Sequence, residues 1–153
     1  MRPSINETML GIAGLLALRG TCFKLAVGCV LVDEKGHILG TGYNGPPRGC
    51  THCIEVPCSG ATAPAGSDLC VAVHAEQNAL LQCRNVDKIY ACYTTHAPCL
   101  RCVKQLMNTS CKLLVFANSS TLTEATKNLW LSVEGHTFIE DDNDLLESYR
   151  TRS

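Results

Sequence analysis

The chain has no surplus of positive charge: across 153 residues, 13 Lys and Arg stand against 14 Asp and Glu, for a formal net charge of −1. A grip on a polyanionic backbone normally draws on a basic excess, so long nucleic acid is not an expected partner and a small molecule fits better. No hydrophobic run is long enough for a membrane span. The most apolar stretch, residues 9–18 (MLGIAGLLAL), follows Arg2 and leads to no small-x-small cleavage site before Thr21-Cys22. It reads as a first helix buried in a soluble domain, with no membrane contact. No internal repeat, linker or charge block divides the sequence, so one domain over residues 1–153 is expected. With 46% hydrophobic and 18% charged residues, disorder is excluded.

Cysteine is the opposite case. There are 11, an odd number, in a chain long enough to bury a core without disulfide staples. In the absence of an export signal the expected compartment is the reducing cytoplasm, and the thiols are free or metal-bound.

The apolar pattern places β-rich runs at about 25–32 and 37–43 on either side of the turn signal DEKG. Residues 46–70 (PPRGCTHCIEVPCSGATAPAGSDLC) are rich in Pro, Gly and Cys, lack periodicity, and form a long loop that needs a function or a metal to organise it. HAEQNALLQC starts a helix near His74, DKIYACYTT is a strand, CLRCVKQLMNT a helix and CKLLVFAN a strand. LTEATKNLWLSV is a further helix, HTFIE a short strand, and residues 142–153 a C-terminal helix or tail. Strands alternating with helices indicate an α/β fold with a partly parallel sheet.

Two segments carry chemistry. His74 opens one helix and Cys99 and Cys102 open another, so one imidazole and two thiolates can meet on one ion. Three protein ligands leave the fourth position of tetrahedral zinc open for water, the pattern of a catalytic site. The helix N-termini add positive potential that favours thiolates. Pro98 suits the position ahead of the ligand turn, where its missing N–H costs nothing. Glu76, two residues from His74, does not share its helical face and is read as a proton shuttle beside the open position. The plain alternative makes His74 and Glu76 ordinary helix residues and the two cysteines a redox pair.

CFKLAVGCVLV, GTGYNGPPRGC, HAEQNALL, IYACYTTHAPCLRC and CKLLVFAN, in this order, resemble the zinc-dependent cytidine and deoxycytidylate deaminase family over roughly residues 20–118. The resemblance implies a three-layer α/β/α fold with a mixed sheet of about five strands. It implies hydrolytic deamination of dCMP to dUMP and ammonia in pyrimidine nucleotide synthesis, with zinc on His74, Cys99 and Cys102 and Glu76 as general acid and base. Asn44 would hold the sugar, and the Ala75 N–H with the chain around Thr95 the base edge. No organic cofactor is implied. A homo-oligomer, often a hexamer, and dCTP or dTTP effectors are implied as partners. The first helix and Trp130 serve such an interface or the core.

The same resemblance implies a second, structural zinc on Cys22, Cys53, Cys58 and Cys70, with His52 as substitute ligand and free thiols as the alternative. Cys29, Cys83, Cys92 and Cys111 fall among apolar neighbours and read as buried thiols. Asn44 in Gly-Tyr-Asn-Gly could instead supply a left-handed turn. His96 reads as pocket wall or surface rather than a ligand. Arg48 and Arg84 are each a phosphate contact or a solvated side chain. Ala97 stands where many relatives carry Phe, which removes an aromatic wall. Two rival readings stay open: a deaminase of another cytosine nucleoside or nucleotide or of tRNA adenosine, and an inactive zinc-stabilised binding or regulatory protein.

Overall fold

The computed structural model describes residues 2–22, 24–64 and 67–142, so all but the first residue of the expected C-terminal helix or tail over 142–153 lies outside the described residues. The first helix, α1 (Ile5–Ala17), starts four residues before the apolar run because Ser4 and Glu7 form a capping box. The Glu7 N–H donates to Ser4 Oγ (3.1 Å) and the Ser4 N–H to a Glu7 carboxylate oxygen (2.7 Å). Only one face is buried, through Met9, Leu10 and Ala13, while Leu15 and Leu18 are exposed. The expected fully buried helix is therefore half wet.

Strands β1 (Gly28–Val32) and β2 (Ile38–Tyr43) form an antiparallel hairpin. Its turn is set by the Asp33 carboxylate, which accepts from the N–H groups of Lys35 and His37 (2.9 Å each), and by Gly36 at φ 81°. After the long loop come α2 (Ala75–Gln82), a 3₁₀ turn at Val86–Lys88, β3 (Ala91–His96), α3 (Leu100–Met107), β4 (Leu113–Asn118), α4 (Glu124–Leu131) and β5 (Thr137–Glu140). The sheet runs β2-β1-β3-β4-β5. β1 pairs antiparallel with β2 and β3, whereas β3–β4 and β4–β5 are parallel. The expected five-stranded mixed sheet is present.

Strand alternation divides the core. Val30, Val32, Ala91, Tyr93 and Val115 face α1, and Tyr93 OH donates to Asn6 Oδ1 (2.9 Å). Cys29, Leu31, Cys92, Leu114 and Phe116 face the other way, with side chains of α2, α3 and α4 in one cluster. Trp130 belongs to this second core, 1% exposed, with Nε1–H donating to Thr137 O (2.9 Å). Cys29, Cys92 and Cys111 are fully buried as expected, and Cys83 is half-buried. No helix among the described residues is long and apolar enough to cross a membrane.

Two strand glycines set how close the helices lie. A Cβ on Gly28 would sit 1.9 Å from Ala13 O in α1, and one on Gly42 2.2 Å from Ala75 O in α2. Both contacts are with backbone, which cannot swing aside. Gly28→Ala is expected to lower the unfolding free energy by at least about 1–3 kcal/mol, the usual range for overpacking. Urea denaturation measures this, and an unchanged midpoint would show that α1 can slide on the sheet.

Candidate active site

The site lies where α2 and α3 begin, at the carboxyl ends of β2 and β3. The long loop leaves and returns at one point: Gly45 and Val73 form an isolated bridge, with the Val73 N–H donating to Gly45 O (2.7 Å). That closure delivers His74 beside the end of β2. Asn78 then ties α2 to β2 by donating to Tyr43 O (2.8 Å), and Gln77 accepts from the His74 N–H (2.9 Å). His74 is the N-cap of α2 and Cys99 the N-cap of α3, with Cys102 in the first turn of α3. Pro98, fully buried, stands just ahead of Cys99.

The three ligand atoms converge. His74 Nδ1 lies 3.4 Å from Cys99 Sγ and 3.3 Å from Cys102 Sγ, and all three atoms lie within 4.8 Å of one another. Bonds of about 2.1 Å to nitrogen and 2.3 Å to sulfur at tetrahedral angles set N and S roughly 3.5 Å apart, so this donor set fits zinc. A proton shared by the two sulfurs sits unequally. The hydrogen bond from Cys102, with help from His74, brings the Cys99 thiol down to about 3. The same bond, with burial, pushes Cys102 up. His74 is raised, chiefly by its hydrogen bond to Cys99. Glu76, only 4% exposed, is raised by burial.

A cleft of about 810 Å³ opens onto this cluster, and His74, Ala75, Glu76, Cys99 and Asn44 line it. Asn44 shapes it indirectly as well. Its Oδ1 accepts from the Val27 N–H (2.8 Å) and its Nδ2 donates to Leu25 O (2.6 Å), which fixes the chain leading into β1. The left-handed alternative for Asn44 is corrected, because among the described residues only glycines take positive φ. The Thr95 hydroxyl is not in the cleft wall; it accepts from the Gly28 N–H and meets His96 Nδ1, each at 3.2 Å. His96 itself lines the cleft and is not in the ligand cluster, as expected for a wall residue. Ala97 lines the cleft too, its carbonyl held by the Thr121 hydroxyl (2.8 Å).

The remaining expectations separate. Arg48 and Arg84 are exposed and outside the cleft lining. Among the described residues the cations lining the cleft are Lys24, Arg101 and Lys104. Sequence reasoning passed over them, although Arg101 inside Cys-x-x-Cys must flank the ligands on the first turn of α3. Cys22, Cys53, Cys58 and Cys70 do not form one cluster. Cys53 and Cys58 approach to 3.7 Å between sulfurs, while Cys22 and Cys70 line the cleft. His52 bonds Thr21 Oγ1 through Nδ1 (3.0 Å). Among the described residues His74, Cys99 and Cys102 form the one group of three donors close enough for an ion.

Comparison with known proteins decides the family. The profile of the cytidine and deoxycytidylate deaminase zinc-binding region matches residues 3–118. The chain belongs to the cytidine and deoxycytidylate deaminase family. Deoxycytidylate deaminase of Mycobacterium phage D29 is 39% identical over 127 residues, covering 78% of this chain and 98% of the phage protein. That of Schizosaccharomyces pombe is 36% identical over 134 residues, covering 84% of this chain but 41% of the yeast protein, so the chain spans less than half of that relative. The crystal structure of dCMP deaminase from cyanophage S-TIM5 in complex with dCMP and dUMP has a TM-score of 0.73 at 29% identity, over 92% of this chain and 99% of that one. Zinc is the metal this family site is built for.

Without metal, Cys99, its thiol brought down to about 3, is expected to react with iodoacetamide at a rate almost flat between pH 5 and 8. A small reference thiol with the ordinary thiol pKa, alkylated in parallel, should gain about tenfold per pH unit over that range. Peptide mass spectrometry separates the two, and a Cys99 rate that climbs with pH would contradict the shared-proton arrangement.

Proposed function

We propose that this chain catalyses zinc-dependent hydrolytic deamination of dCMP to dUMP and ammonia. The carrying observation is Glu76: a carboxyl buried in the floor of a cleft, beside three converging metal ligands, under an otherwise cationic rim. A closed structural metal site has no use for such a group. The relatives named deoxycytidylate deaminase, and the cyanophage enzyme bound to dCMP and dUMP, support the same substrate.

His74, Cys99 and Cys102 would hold zinc, which when bound supplies Lewis acidity that acidifies water at the cleft floor. The chain's own groups do the rest. Glu76 accepts one proton of the attacking water and passes it to ring N3, then takes the remaining hydroxyl proton and delivers it to the amino group, so that ammonia leaves as the C4 carbonyl forms. Its raised proton affinity lets it hold that proton between transfers. The Ala75 N–H and the backbone around Thr95 hold the edge of the base, and Asn44 presents the sugar-facing wall. Water and dCMP enter, and dUMP and ammonia leave. No electrons are exchanged.

Lys24, Arg101 and Lys104 meet the phosphate. Lys24 Nζ is already turned to the loop, donating to Ala63 O. Among the described residues Glu76 is the only acidic one lining the cleft. A second, structural zinc rests on the Cys53–Cys58 pair, whose spacing suits one ion, with Cys22, Cys70 or His52 completing the set. Elemental analysis finding one equivalent per chain would remove that second site.

Ammonia release from dCMP, CMP, deoxycytidine, dCTP and a tRNA anticodon stem tests the reading. dCMP should be consumed fastest, and Glu76→Gln should lower kcat by about 10²–10⁴-fold with zinc content unchanged. Silence on every substrate with zinc bound would favour a binding protein. Arg101→Ala should raise KM for dCMP about tenfold or more while leaving deoxycytidine within about twofold. Equal losses on both substrates would move the phosphate elsewhere.

A further inference from the structure

The family reading gives the backbone near Thr95 a role but leaves two side chains unexplained. Thr95 is half-buried at the end of β3, and His96 beside it lines the cleft. The Gly28 N–H points at Thr95 Oγ1 (3.2 Å) and has no choice but to donate. The hydroxyl keeps one hydrogen to donate, and among the described residues the side-chain atom within hydrogen-bond reach of Thr95 Oγ1 is His96 Nδ1 at 3.2 Å. With that hydrogen placed on His96, a chain of donors runs from Gly28 N–H to the Thr95 hydroxyl to His96 Nδ1. A neutral imidazole whose Nδ1 accepts must carry its hydrogen on Nε2. Burial also lowers the proton affinity of His96, in the direction of the neutral ring.

We propose that His96 is a substrate-binding residue that presents one Nε2–H donor to the cleft, in a tautomer fixed by Thr95 acting as a positioning residue. This rests on the reading of the cleft as a nucleotide site. The partner is a hydrogen-bond acceptor of the substrate, either a phosphate oxygen or an oxygen of the base or sugar. The surroundings favour an acceptor-rich ligand, since the cleft also presents Arg101, Lys104 and Ser120. His96 is held from below by β4, where its register partner is Asn118 and the Ala97 N–H donates to Asn118 O (2.9 Å). The ring is thereby fixed at its base and oriented at Nδ1. A neutral donor adds direction without adding charge to a rim that already has three cations.

The test combines a spectroscopic readout with kinetics on the zinc-loaded full chain. With ¹⁵N-histidine labelling, His96 should show an unprotonated Nδ1 and a protonated Nε2, and Thr95→Val should lose that preference while Thr95→Ser restores it. His96→Leu and Thr95→Val should each raise KM for dCMP by roughly tenfold with kcat within about threefold, and the double variant should be no worse than either alone. Comparing dCMP with deoxycytidine locates the acceptor: a KM effect confined to dCMP assigns it to phosphate, and one shared by both assigns it to base or sugar. An Nδ1–H tautomer overturns the relay. Correct tautomer with unchanged KM in His96→Leu overturns the binding role. If the unsubstituted chain does not turn over dCMP, the functional reading falls and takes the binding role with it, while the nitrogen resonances still decide the relay.

Discussion

The rest of the molecule depends on one meeting point: a nitrogen and two sulfurs from the first turns of two helices, brought within 4.8 Å of one another. Nothing local to either segment produces this. His74 arrives there because the Gly45–Val73 bridge closes a loop of nearly thirty residues onto the end of β2. Cys99 and Cys102 arrive because β3 lies beside β1 in the sheet and ends at the same level. Gly42 lets α2 approach β2 to backbone contact, so its N-terminus aims over the sheet edge toward α3. The cluster concentrates thiol, imidazole and carboxyl groups at two positive helix ends, which favours the thiolate at Cys99. Metal-free, these donors divide one proton between two sulfurs; with a metal, that competition is replaced by coordination.

The cleft separates two electrostatic tasks by depth. At the floor, burial raises Glu76 and makes its carboxyl suited to carrying a proton. At the rim, Lys24, Arg101 and Lys104 supply positive charge without touching the carboxyl's chemistry. A chain with a net charge of −1 can still present an anion site, because the field a ligand meets is that of the lining residues, not of the whole molecule. Near-neutral composition, the ground for setting long nucleic acid aside, could not reveal this local surplus.

What the sequence disclosed follows from the range of each interaction. The ligands and Glu76 were legible because their spacing is local and each helix start is signalled within a few residues. The five strands were legible from alternation and β-branched runs, and Ser4-x-x-Glu7 would have fixed the start of α1 had its cap been weighed above hydrophobicity. The cations of the cleft were illegible for a different reason. Arg48 and Arg84 stand near motifs in sequence but face solvent, while Lys24 and Lys104, eighty residues apart, share one cleft. Long-range placement is set by sheet order, and no periodicity encodes it. The cysteine-rich loop shows the same limit: the family resemblance implied four sulfurs together, yet of those four Cys53 and Cys58 are the pair that approaches closely.

Thr95 shows how a single side chain can link fold and site. Its hydroxyl accepts from Gly28, the residue whose missing Cβ admits α1 on the opposite face of the sheet. The position that sets the spacing of α1 thus also supplies the N–H that orders Thr95 and His96. A substitution at Gly28 that shifted β1 by a few tenths of an ångström would lengthen a bond already at 3.2 Å and loosen the histidine's orientation. Stability and recognition are therefore coupled through β1, because the strand's two faces share one backbone. Variants that destabilise α1 packing should for that reason alter substrate affinity before they abolish folding, a coupling that no list of cleft residues would reveal.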